Sequence, residues 1–72
     1  MTTTELQDGL KDAEYCVAEI RKHGGVVLRV PRGNQWRLYV HNSVNVPTEF
    51  KFRLLELQPF VMVYLRMLCQ RP

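Results

Sequence analysis

Residues 26–41 constrain the fold of this chain more than any other stretch. They read VVLRVPRGNQWRLYVH, two runs rich in strand-forming residues around a Pro-Arg-Gly-Asn turn. Valine, leucine, tyrosine and tryptophan suit a pleated, half-buried surface. Pro31 presets a turn dihedral, and Gly33 or Asn34 can take the positive φ that a turn often needs. Alternation along each run predicts two faces. Val26, Leu28 and Val30, with Trp36, Leu38 and Val40, form an apolar face that places Trp36 in the core. Val27, Arg29, Arg37, Tyr39 and His41 form the other, basic and aromatic. An isolated hairpin is marginal in water. Helices must therefore cover its apolar face, and the second face is left for a partner.

The flanking segments supply those helices. Thr4-Glu5-Leu6-Gln7 matches a capping box with Thr4 as N-cap. Leu6, Leu10, Ala13, Val17 and Ile20 then fall on one helical stripe. Arg21, Lys22 and His23 suit a helix C-terminus, and Gly24-Gly25 supplies a left-handed stop. Gly9 weakens the first turns by about 1 kcal/mol relative to Ala. Residues 1–11 thus read as an N-terminal extension or a frayed start, with a secure helix over residues 12–23. After the hairpin, Pro47 opens a second helix, with Phe50, Leu54 and Leu57 on one face. Pro59 ends it and starts a third. That third helix is apolar almost all round, with Arg66 and Gln70 its clear polar positions, so it should be buried on more than one side. In so small a protein the second side predicts a homodimer interface through Phe60, Val63, Tyr64 and Met67. The expectation is one small α+β domain over residues 1–72 in αββαα order.

The 72 residues leave no room for a second core. The net charge of +3 permits contact with nucleic acid without demanding it. Cys16 and Cys69 form no Cys-x-x-Cys pair and have no histidine at metal-binding spacing, so they read as free, partly buried thiols and no metal or other cofactor is expected. No basic, apolar leader opens the chain. The longest apolar run, residues 60–65, is far short of the ~20 residues a membrane span needs. A cytoplasmic location follows as the expectation. Ser43 lacks a nucleophile-elbow context. Asp8, Asp12, Glu14 and Glu19 read as the solvated face of the first helix, and Gly24-Gly25 precedes a strand and cradles no phosphate. No catalytic residue is predicted, and the chain is not expected to be an enzyme.

Three pieces resemble the TubC-type N-terminal docking domains of nonribosomal peptide and polyketide assembly lines. They are the helix end, Gly stop and first strand of residues 18–28, the hairpin itself, and Val46-Pro47-Thr48-Glu49-Phe50 through Leu54 followed by residues 60–66. The resemblance covers residues 12–68. It implies a non-catalytic αββαα module, typically a homodimer, that grips a short acidic segment of an upstream protein by adding it as a strand to the hairpin. By position it puts Arg29, Arg37, Tyr39 and His41 on the docking face, flanked by Val27 and Arg32. Two features depart from the family. Val46 stands where a hydroxyl N-cap is usual, and about a dozen residues precede the matching region. The chain also starts with its own Met and ends at Cys69-Gln70-Arg71-Pro72, which predicts a stand-alone protein.

Two other readings stand beside docking. A free-standing chain of this size suits a phage or mobile-element protein that clamps and inhibits a host factor, in the manner of anti-CRISPR proteins. Alternatively, Arg29, Arg32, Arg37, His41, Lys51 and Arg53 form a basic surface for nucleic acid, with Tyr39 as a stacking group.

Overall fold

The computed structural model describes residues 2–70. Its order is α1 (Thr3–Lys22), β1 (Val26–Arg32), β2 (Gln35–His41), α2 (Thr48–Glu56) and α3 (Gln58–Cys69). The chain is an α+β domain of αββαα order with one two-stranded antiparallel sheet.

Helix α1 begins earlier than its capping-box wording suggests. Thr2 is the N-cap, and its Oγ1 accepts from the Glu5 backbone N–H at 3.1 Å. The helix is continuous through Gly9, where a frayed or separate start was the expectation. The reason is packing. Gly9 is buried, and a Cβ there would overlap the Phe60 ring of α3. The glycine's helix cost is offset by the close approach it allows.

The far end of α1 closes as a Schellman motif. The Gly25 N–H donates to the Ile20 carbonyl and the Gly24 N–H to the Arg21 carbonyl, both at 3.0 Å. Gly24 sits at φ +87°, which L-residues rarely adopt. A Cβ on Gly25 would stand 2.8 Å from Ile20 Cγ2 and 2.9 Å from Val46 Cγ2. The Asn42 side chain donates to the Gly24 carbonyl at 3.1 Å, tying the helix stop to the loop after β2. Gly24→Ala is therefore expected to cost about 1–2 kcal/mol, the usual penalty for a Cβ in a left-handed conformation. Thermal melts should show the midpoint falling by about 4–8 °C per kcal/mol for a domain of this size.

The strands meet through a two-residue loop, Gly33-Asn34. Gly33 has φ +63° and Asn34 is not in the positive-φ region, the pattern of a type II′ hairpin turn. The turn is tighter than the four-residue one expected. Pro31 and Arg32 belong to β1, and Pro31 pairs with Trp36.

Leu57 separates α2 from α3 and is buried, and Pro59 lies in the first turn of α3. The core joins Ala13, Cys16, Val17 and Ile20 of α1 to Val27 of β1, Val46 of the loop, Leu54 and Leu57, and Val61 and Leu65 of α3. On the outside, Arg53 bridges α2 to α1 at 3.5 Å from Asp12 and also meets Glu56 at 3.2 Å.

Candidate functional site

Directly paired residues of an antiparallel ladder point to the same side. The pairs Val27–Val40, Arg29–Leu38 and Pro31–Trp36 therefore share one face of the hairpin, and Val26–His41, Leu28–Tyr39 and Val30–Arg37 share the other. The first face is turned inward. Val27 is 3 % exposed, while Val26, Leu28 and Val30 are 39–44 % exposed. The expected sorting of β1 is thus inverted. Val27 is a core residue, not a docking residue. Arg29 also lies on the inward side, half-buried, with its guanidinium 4.7 Å over the Trp36 ring. Trp36 has the inward parity expected of it but lies one pair from the turn-flanking residues, beside a cleft it shares with Leu65, Leu68 and Cys69 of α3. It is 51 % exposed and covered on one side by Arg29, so it is not a core residue.

The outer face gathers four of the six expected partner-binding residues, namely Arg32, Arg37, Tyr39 and His41, all exposed. The Tyr39 and His41 rings lie 6.4 Å apart. To these the structure adds Val26, Leu28 and Val30, which the alternation argument had assigned to the core. The signal that identifies them is loop length. A loop with an even number of residues pairs odd positions with even ones, so two even-numbered apolar sets cannot share a face.

Charge is segregated around this face. Residues 24–47 contain three arginines and one histidine and no Asp or Glu. Among the described residues, Arg29, Arg32 and Arg37 take part in no ion pair.

The two edges of the sheet are unequal. In a two-residue hairpin the residues flanking the loop exchange hydrogen bonds, and hydrogen-bonded pairs then alternate along the ladder. The backbone groups of Val27, Arg29 and Pro31 accordingly face outward on β1, and those of Trp36, Leu38 and Val40 on β2. Pro31 has no N–H to offer, and α1 and α3 pack against β1. β2 keeps a full set of donors and acceptors. It borders α2 across a cleft lined by Arg37, Leu38, Val40, Lys51, Leu54 and Leu55.

The expected dimer face of α3 divides in two. Val63 and Met67 are 41 % and 51 % exposed and available to a second copy. Phe60 and Tyr64 are half-buried, with Phe60 lying over Gly9 and Tyr64 packed on the core.

The titratable side chains elsewhere have structural surroundings. Cys16 is buried and its S–H donates to the Phe50 carbonyl at 3.5 Å. Burial pushes its thiol pKa up, outweighing the nearby Arg53 charge, so the nucleophilic thiolate is disfavoured. Cys69 is exposed, not partly buried as expected, and the two cysteines are unbridged. The His23 Nδ1–H donates to the Glu19 carbonyl at 2.8 Å at the helix end, and its ring lies 6.0 Å from Phe50. Among the described residues no cluster of three His, Cys, Asp or Glu could hold a metal ion, and no helix is long and apolar enough to cross a membrane.

Comparison of the chain with protein-family models, curated proteins and solved structures finds no match.

Proposed function

We propose that this chain is a non-enzymatic protein-interaction module that grips an extended acidic segment of a partner protein along β2. The observation that carries the reading is the uncovered outer face of the hairpin. It combines apolar Val26, Leu28 and Val30 with basic and aromatic Arg37, Tyr39 and His41 in a stretch without acidic residues. Strand addition at β2 would supply affinity through the outward backbone groups of Trp36, Leu38 and Val40. Alternate side chains of the added strand would meet Arg37 and His41 on one face and the Leu54–Leu55 cleft on the other. Charge-assisted bonds from the arginines would select carboxylates. The resemblance to assembly-line docking domains supports the same mode. A cytoplasmic location belongs to this proposal, supported by the two unbridged thiols.

The test is binding of a labelled ten-residue peptide alternating Glu with Val, followed by fluorescence anisotropy. The double variant Arg32→Glu, Arg37→Glu is expected to weaken binding by about 10–100-fold, the worth of one or two charge-assisted hydrogen bonds. Far-ultraviolet circular dichroism should stay unchanged, because both side chains are exposed. Equal binding by the double variant overturns the assignment. Single-stranded DNA bound in place of the peptide, with affinity falling steeply with salt, would transfer the basic face to nucleic acid.

A further inference from the structure

We propose a second binding site on the opposite flank of the hairpin, where β1 meets the end of α3, that takes a small amphipathic carboxylate. The cleft there has a volume of about 380 Å³, within the range of small-ligand sites. Its apolar lining is Val27, Leu28, Leu65 and Leu68, together with Trp36. Arg21, from the last turn of α1, and Arg29, from β1, supply its charge.

Three observations carry the assignment. Two guanidinium-bearing residues from different elements line one cleft, and no acidic residue lines it. Among the described residues neither Arg21 nor Arg29 has an ion-pair partner. By contrast, the cleft between α1 and α2 is lined by Asp12, Glu49 and Arg53, and Arg53 is already engaged by Asp12 and Glu56. The third observation is the apolar wall directly beside the two cations. A carboxylate held by Arg21 and Arg29 can lay an aliphatic or aromatic body on Leu28, Leu68 and the free part of the Trp36 ring, above the buried Val27 and Leu65. The complementary ligand thus carries one negative head and an apolar body of a few carbons. The site does not rest on the docking role of the outer face: the two share Leu28, but the basic and aromatic Arg37, Tyr39 and His41 belong to the other side of the sheet.

The chain carries two reporters of its own. Trp36 is its single tryptophan. Cys69 is the exposed cysteine and stands at the rim of the same cleft, whereas Cys16 is buried. Octanoate is the probe. It is expected to shift Trp36 emission saturably, with Kd on the order of 1 mM, and to slow alkylation of Cys69 by iodoacetamide over the same range. Octan-1-ol, which has the same body without the charge, should bind at least about tenfold more weakly. Arg21→Gln and Arg29→Gln should each weaken octanoate by about tenfold, whereas Arg37→Gln leaves it unchanged. Arg21 is exposed at the helix end, so its variant keeps the test valid should Arg29→Gln disturb the hairpin. Absence of a saturable shift, equal binding of the alcohol, or sensitivity to Arg37→Gln with indifference to Arg21→Gln overturns the site. Octanoate binding that survives Arg32→Glu, Arg37→Glu while the acidic peptide is lost shows the two surfaces to be separate. Peptide binding without octanoate binding removes this site and leaves the docking role standing.

Discussion

Val27→Asp is expected to unfold the domain, whereas Leu28→Asp, one position along the same strand, leaves it folded and weakens partner binding. Val27 is 3 % exposed and belongs to the core cluster. The cluster is apolar apart from the Cys16 thiol, which already donates to the Phe50 carbonyl. Arg21 and Arg29 line the cleft beside Val27 from the exposed and half-buried surface, so a carboxylate buried at this position loses its water and costs about 4 kcal/mol or more. Small domains hold only ~3–5 kcal/mol of surplus stability, so a loss of this size leaves little native protein. Leu28 is 44 % exposed on the outer face, opposite Tyr39. Asp is a poor strand former, yet its cost at such a position stays near 1 kcal/mol. Its negative charge beside Arg37 and Tyr39 would repel an acidic segment. Circular dichroism melts of the two variants, read beside peptide anisotropy, decide the matter. A folded Val27→Asp protein together with an unfolded Leu28→Asp protein would restore the opposite register.

That pair of variants marks where sequence pattern stops being informative. Strand β2 alternates cleanly, with Trp36, Leu38 and Val40 on one parity and Arg37, Tyr39 and His41 on the other. The basic-aromatic half of the candidate site is legible for that reason. Strand β1 has Val26, Leu28 and Val30 on one parity and Val27 on the other, so its own composition favours the wrong face. The tight Gly33-Asn34 loop decides, because it sets which residue of β1 meets which residue of β2. The inward valine wins since it sits where α1 and α3 pack against the strand. Trp36 shows a second limit. Its parity is readable, but how much of the ring the helices cover is a tertiary fact: Trp36 shares a cleft with the end of α3 and is still 51 % exposed. The helices were more legible. Gly24-Gly25 ends α1, Pro59 opens α3, and Ala13, Val17 and Ile20 form the buried stripe that their spacing predicts. Leu6 lies on that stripe and is still 37 % exposed. Periodicity identifies the face of a helix, and only the neighbour's length says how far along that face burial extends.

Gly9 reverses the usual rule for a glycine inside a helix. Gly9→Ala ordinarily stabilises by about 1 kcal/mol. Here the added methyl would overlap the Phe60 ring, which lies flat on the glycine where α3 crosses α1. Overpacking of this kind costs about 1–3 kcal/mol, since the overlap reaches the Phe60 Cγ at the root of the ring and the whole ring must shift. The substitution is therefore expected to destabilise on balance, and a larger Gly9→Val change to prevent folding. The cause can be isolated in a double-mutant cycle with Phe60→Ala. That variant alone should cost about 2 kcal/mol, because the ring is only half-buried. In its background the overlap is gone, and Gly9→Ala should regain its intrinsic helix gain and become stabilising. The coupling between the two positions should then exceed about 1 kcal/mol, well above the error of denaturant midpoints. Additive effects would mean that α3 does not cross α1 at Gly9. A sign change would place the crossing there and explain why the first turns of α1, weak by propensity, are held in one continuous helix.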